Sequence, residues 1–292
     1  MQPLESDVRA FLEAVHSRYG YDMRGYSAAS IGRRVRAALA RSRLPDVPAL
    51  TVGVLEDPAL FAAVLDDLTV RVSEMFRDPA FHRALREQVV PLLRTYPRLN
   101  IWHCGCATGE EVYSFAILLA ETGLYDRAQI YATDLSQRAL EQAKAGIYPA
   151  DRLSLFAENY RRAGGTGEFG EYVTAAYDQI ALRGSLRRQV VFFQHDLVSD
   201  HVFGEMQVVF CRNVLMYFGP ELRAKVVSKL VESLVPGGFL ALGADERLLA
   251  PAPGSAASSL SEFAPAVRIY RQGRGLSAAG ELDSGGTRRQ ER

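Results

Sequence analysis

The loop Gly105-Cys106-Ala107-Thr108-Gly109 runs straight into an acid, Glu110. Glycines let a ligand approach the backbone closely, because no Cβ stands in the way. The acid carries the wrong sign for a pyrophosphate and the right sign for an ammonium group. The loop does not follow the G-x-G-x-x-G spacing of dinucleotide sites. A second acid, Asp134, closes the strand candidate QIYATD. A carboxylate there can accept paired hydrogen bonds from ribose hydroxyls. Gly105, Glu110 and Asp134, followed much later by a Pro236-Gly237-Gly238 hairpin turn, favour S-adenosylmethionine over NAD as the bound nucleoside. Taken alone, Asp134 reads equally well as a helix cap or turn residue. His103 lies inside a strand candidate and His195 just beyond another, and both read as packed structural histidines. The cysteines, Cys104, Cys106 and Cys211, form no metal-ligand pattern and no disulfide framework. No metal is expected.

These residues need a scaffold, and the pattern supplies one. LNIWHC (99–104), QIYATD (129–134), QVVFF (189–193), QVVFC (207–211) and FLALG (239–243) read as strands. Helical patterns alternate with them. One places Val112, Phe115, Ala116 and Leu119 on one face and stops at Gly123. One follows a Ser136 cap and carries Ala139, Leu140 and Ala143. One opens at Gly219-Pro220 and carries Val227, Leu230, Val231 and Leu234. Strands alternating with helices indicate a parallel sheet wound on both faces. Residues 147–188 break the rhythm with Gly164, Gly165, Gly167 and Gly170, and predict a small inserted lobe built on a β-ribbon. Ahead of the sheet the chain reads as helical. Ser6 is the expected cap of a first helix with Val8, Phe11, Leu12 and Val15 inward and Gly20 as its stop. A second spans about 27–43, with Ile31, Val35, Ala38 and Leu39 on one arc. Arg33, Arg34, Arg36, Arg41 and Arg43 are assigned to the opposite arc. That face is either plainly solvated or a dock for an acidic helix.

Composition narrows the function. Lysine plus arginine and aspartate plus glutamate both total 34 of 292 residues. A balanced charge argues against a nucleic-acid substrate. The start has no basic, apolar leader pattern, and no apolar run is long enough for a bilayer, so a cytoplasmic protein without membrane insertion is expected. The Gly-, Ser- and Arg-rich residues 272–292 are expected to be disordered.

Four segments in this order resemble the CheR-type chemotaxis receptor methyltransferases: TVRVSEMFRDP (69–79), GCATGEEVYS (105–114), ATD (132–134) and FCRNVLMYF (210–218), followed by LVPGGFLALG (234–243). The resemblance covers about residues 5–271. It implies a Rossmann-like α/β methyltransferase domain over 79–271, an N-terminal all-helical domain over 1–78 and a small inserted β-subdomain. It implies S-adenosylmethionine as methyl donor, S-adenosylhomocysteine as product, and glutamate side chains on the cytoplasmic helical domain of a chemoreceptor as acceptors. By the same resemblance Arg71, Ser73 and Arg77 close over the cofactor. Gly105 and Glu110 hold its methionine end, Asp134 its ribose, and Asp196 and Leu197 flank its adenine. Cys211, Arg212 and Asn213 lie near the methyl group, with Tyr217 facing the reaction centre. Arg33, Arg34, Arg36 and Arg41 belong to the receptor-facing helix. The chain departs from the family at Arg71, Ser73, Met75 and Ala107, where Asn, Thr, Phe and Ser are usual, and at Ala244-Asp245, where His-Ser is usual.

A glutamate carboxylate is ionised at neutral pH, so its methylation needs positioning rather than a base. Arg77 and Tyr217 are the residues expected to orient it. Two rivals stand beside this reading: a module that binds the nucleoside without transferring anything, and a methyltransferase with another acceptor.

Overall fold

The computed structural model describes residues 3–69, 73–248 and 255–273. Arg71 therefore lies outside the described residues, as does most of the Gly/Ser/Arg-rich tail.

Four helices form the N-terminal part: α1 (Pro3–Tyr19), α2 (Ala28–Ser42), α3 (Val47–Glu56) and α4 (Pro58–Leu68). The Asp-x-Pro and Asp-Pro pairs set two of the starts. Asp46 accepts from Ala49 N at 2.8 Å and Asp57 from Ala59 N at 2.8 Å, each with a proline in the first turn. Val8, Phe11, Leu12 and Val15 of α1 pack with Ile31, Val35 and Ala38 of α2 and with Leu50, Val54, Val64 and Leu68. Ser6 is not the cap of α1. The helix begins at Pro3, so Ser6 lies within its first turns. Arg34 is not on the outer arc of α2. It sits three residues after Ile31 and four before Ala38, on the inward stripe, and is 7% exposed.

The chain continues through α5 (Pro79–Ala84), a π turn (Leu85–Val89) and α6 (Val90–Leu93) into β1 (Leu99–Cys104). Then follow α7 (Glu110–Glu121), β2 (Ala128–Asp134), α8 (Gln137–Ala145), β3 (Ile147–Pro149), α9 (Leu153–Arg162), β4 (Val173–Ala176), β5 (Gln179–Leu182), β6 (Val190–Gln194), β7 (Met206–Cys211), α10 (Pro220–Glu232), β8 (Leu234–Leu242), β9 (Leu260–Ala264) and β10 (Ile269–Gln272). The main sheet has the order β6-β2-β1-β7-β8-β10-β9. The first five are parallel to one another and β10 runs antiparallel to both its neighbours. Side chains alternate across it. Ile101, Val208, Phe210 and Phe239 face one core with α5 and α7, while Trp102, Val209, Leu240 and Leu242 face the other with α10.

Pro236-Gly237-Gly238 does not make a hairpin turn ahead of a strand. It lies within β8, with Gly237 at φ +84°, and bulges it: Leu234 pairs with Met206 and Phe239 with Val208. The inserted lobe is more than a ribbon. Its strands form a three-stranded antiparallel sheet, β3-β5-β4, on which α9 rests. Phe156, Tyr160, Phe169, Ile180 and Leu182 of the lobe join the same core as α7, which is why α7 is buried on nearly every side. Glu121, at the end of α7, is the polar knot beneath it. It accepts from Arg86, Tyr160 and Thr166, the last from its backbone N at 3.0 Å.

Among the described residues no helix is long and apolar enough to cross a membrane. None of their His, Cys, Asp or Glu side chains cluster in threes suited to a metal ion.

Candidate active site

The strand order reverses at β1, which lies between β2 and β7, and such a switch point leaves a crevice beyond the carboxyl ends of the strands. A cavity of about 280 Å³ opens there. Its floor comes from every parallel strand's exit: Gly105, Cys106 and Ala107 after β1, Asp134 and Leu135 at β2, His195, Asp196 and Leu197 after β6, Arg212, Asn213 and Val214 after β7, and Asp245 after β8. The helical part roofs it with Tyr26, Arg34, Leu68 and Thr69, and the connecting segment adds Ser73 and Arg77.

The turn after β1 is tight. Gly105 has φ +64°, and a Cβ there would lie 2.6 Å from Val214 Cγ2. The loops after β1 and β7 thus touch at a residue without a side chain. Asp134 is buried, and its two oxygens each accept one backbone N–H, from Ala107 at 2.8 Å and Ser136 at 2.9 Å. Burial raises its pKa, against the pull of those hydrogen bonds. Each oxygen keeps a lone pair, which suits a pair of vicinal hydroxyls. Asp196 folds back on its own turn, accepting from Val198 N at 2.8 Å and Ser199 Oγ at 3.0 Å. Arg77 lines the cavity and makes no ion pair with another described residue.

Glu110 and Asp134 do not face one cavity. Successive helix residues point about 100° apart, so Glu111 turns toward the first cavity and Glu110 toward a second. That space, about 510 Å³, lies between α4, α8 and the lobe and is lined by Arg41, Asp66, Asp67, Thr108, Glu110, Tyr148 and Arg152. Thr69 and Ser73 border both spaces. Glu110 is buried and accepts from Thr108 Oγ1 at 2.7 Å, and desolvation raises its pKa.

Other expected residues are placed differently. Cys211 is fully buried beneath the sheet's end and does not line the cavity. Arg212 is held by Asp78 at 2.6 Å and Glu111 at 2.5 Å, with its guanidinium 3.9 Å above the Phe81 ring. Its charge is already matched, so it braces the wall. Arg33 and Arg36 are exposed on α2, whereas Arg41 pairs with Asp67 at 3.0 Å. His195 bonds the carbonyl of His201 at 2.9 Å, and His103 stacks on Phe210 at 4.2 Å, beside Glu111.

Three contributors escaped the sequence reading. Tyr26 reaches the roof because residues 25–27 are stitched to the loop after β7: Ser27 N donates to Tyr217 O and Gly219 N to Gly25 O, both at 2.8 Å. Glu111 was overshadowed by its neighbour. Glu246 is fully buried and accepts from the backbone N–H of Gly243 (2.7 Å), Asn213 (2.8 Å) and Met216 (3.1 Å). It fixes the loop that carries Asn213, in left-handed geometry at φ +60°, and Tyr217. The signal was its place just after the β8 strand pattern, opposite the β7 loop.

Residues 71–258 match the model of the CheR methyltransferase SAM-binding domain, and residues 6–69 that of the CheR methyltransferase all-alpha domain. The chain belongs to the CheR methyltransferase family. Its bound nucleoside is S-adenosylmethionine. Cher3 of Pseudomonas putida, which carries a methyltransferase name, is 49% identical over 82% of this chain and 88% of its own. The chemotaxis protein methyltransferase of Listeria monocytogenes is 29% identical over 85% of this chain and 93% of its own. That of Vibrio cholerae is 32% identical over 65% and 69%. Magnesium protoporphyrin IX methyltransferase from Synechocystis, solved with bound S-adenosylmethionine, is 19% identical over 62% of this chain and 70% of that one. Its TM-score of 0.33 is too low to bear on the site. The CheR cavity suits a nucleoside on its own geometry: a buried carboxylate with spare lone pairs, and a glycine cradle that a side chain would fill.

Proposed function

We propose that this chain methylates glutamate side chains on the helical cytoplasmic domain of a chemoreceptor, as a cytoplasmic enzyme of chemotaxis-type signalling. The observation that carries the proposal is the meeting of Arg77 and Tyr217 in the cavity that also holds Asp134. Relatives named as chemotaxis protein methyltransferases support the pathway.

S-adenosylmethionine supplies an electrophilic methyl group and leaves as S-adenosylhomocysteine. Asp134 holds the ribose, Asp196 and Leu197 flank the adenine, and Gly105 gives the methionine end close access to backbone. Ser73, between the two cavities, closes over that end, with Glu110 behind it. The acceptor carboxylate arrives ionised, so no side chain has to take a proton. Arg77 and Tyr217 orient it, and the closed roof strips its water. Positioning of this kind lowers barriers by on the order of 7–11 kcal/mol in favourable cases. Arg33, Arg36 and Arg41 on α2 offer the receptor helix a basic face.

The test is transfer of labelled methyl to a receptor fragment. Label released as methanol by mild base supports an ester. Base-stable label, or none, overturns the reading. Tyr217→Phe should lower turnover about 10-fold or more, the cost of one lost hydrogen bond to a charged group, with S-adenosylhomocysteine affinity unchanged by calorimetry.

A further inference from the structure

Arg34 belongs to the cavity roof and not to the docking face. Three contacts define it. Its Nη1 donates to the carbonyl of Leu68, at the end of α4. Its guanidinium lies 4.1 Å from the centroid of the Tyr217 ring. Its Nη2 is buried and has no hydrogen-bond partner among the described residues. The side chain is 7% exposed, lines the cavity and pairs with no described carboxylate.

A buried cation without an acid is costly unless something that enters the cavity completes it. Packing alone would be served as well by leucine, since the neighbours are Leu68 and the face of a tyrosine. A guanidinium held flat on a ring, with one edge fixed and the other edge open toward the cavity, is shaped for a planar anion. Spreading its charge over Tyr217 also keeps the contact soft. An acceptor that must remain nucleophilic gains from a weak ion pair, because attack removes its charge.

We propose that Arg34 is a substrate-binding residue whose open Nη2 edge takes a carboxylate inside the cavity. This rests on the methyl-transfer reading, which brings two carboxylates there: the acceptor side chain and the methionine end of the cofactor. They are separable by experiment on the full chain. Arg34→Ala and Arg34→Lys are titrated with S-adenosylhomocysteine and with 5′-methylthioadenosine, which lacks the amino-acid end, and assayed for label transfer.

If the acceptor is the ligand, both nucleosides bind as in wild type. Transfer efficiency then falls about 100-fold in the Ala variant, the upper end for a lost charged hydrogen bond, and is partly restored by Lys or by added guanidinium. If the cofactor is the ligand, affinity for S-adenosylhomocysteine falls about 10-fold or more and that for 5′-methylthioadenosine does not. Equal losses for both nucleosides mean a packing role and overturn the assignment. Unchanged affinities with unchanged transfer overturn it too. Should the Ala variant fail to fold by circular dichroism, the Lys variant decides by the same criteria. A wild type that labels no receptor fragment defeats the functional reading separately. In that case unchanged nucleoside affinities in both variants overturn Arg34 as well.

Discussion

Buried carboxylates without a cation are rare, and Glu246 is one that is fully occupied by three backbone N–H groups. Glutamine at that position keeps one acceptor oxygen and turns an NH2 group toward donors. Glu246→Gln should therefore cost about 1–3 kcal/mol of stability in urea unfolding. Turnover should drop more than cofactor affinity, because the loop of Asn213 and Tyr217 loosens. Asp134 makes the complementary case. Asp134→Asn should weaken S-adenosylhomocysteine binding about 10-fold or more while the chain stays folded, as calorimetry would show. Burial raises the Asp134 pKa, and its ionised form is the one that accepts both hydroxyls. Cofactor affinity should thus fall on acidification sooner than for an ordinary aspartate. A flat affinity between neutral pH and pH 5 would contradict the ribose assignment. The residue scale was also where the sequence was least readable. Asp134 could be found because it closes a strand. Arg34 could not be placed, because the inward stripe of α2 was drawn with apolar residues only, and an arginine stacked on tyrosine satisfies the same stripe.

At the scale of elements the reading was better, for a physical reason. The strand runs of β1, β2, β6 and β7 and the helical periods between them are local patterns, and local patterns survive in one dimension. What failed was set by distant partners. The bulge in β8 exists because Met206 and Val208 dictate where Leu234 and Phe239 pair. The third strand of the lobe sheet, β3, pairs with β5 across an intervening helix. The contact of the β1 and β7 exits at Gly105 is likewise a pairing of elements, and it yields a prediction. Gly105→Ala meets Val214 and a φ of +64°, for a combined penalty of about 2–3 kcal/mol. Trimming Val214 to Ala in the same chain should recover the steric part alone. Full recovery of thermal stability in the double variant would mean that the backbone there relaxes out of the left-handed region.

Across the whole molecule, one buried charge cluster ties three elements together. Arg212 at the end of β7 meets Glu111 of α7 and Asp78 ahead of α5, with His82 and His103 close by. Burial, and then Arg212, depress His82 to about 3 from an ordinary 6.5. Burial favours the neutral form of Glu111, but Arg212 outweighs it and holds the acid at about 2 rather than 4.5. Between pH 6.5 and 3 the unfolded chain takes up a proton at His82 that the folded chain refuses, so acid lowers stability there. One such group contributes at most about 1.4 kcal/mol per pH unit. The contribution of Glu111 is complete above 4.5 and is lost as the pH falls toward 2, which adds in the same direction. Urea midpoints should decline below pH 6.5, and His82→Phe, set between Phe76 and Phe81, should flatten the decline above pH 4.5. The order of the main sheet has a last consequence, for synthesis. β10 is made after β9 yet lies inside the sheet, between β8 and β9. Until residues 269–272 leave the ribosome, the apolar edge Phe239-Leu240-Ala241 has nothing to pair with. A nascent chain halted short of them carries an open, sticky border and a stranded β9.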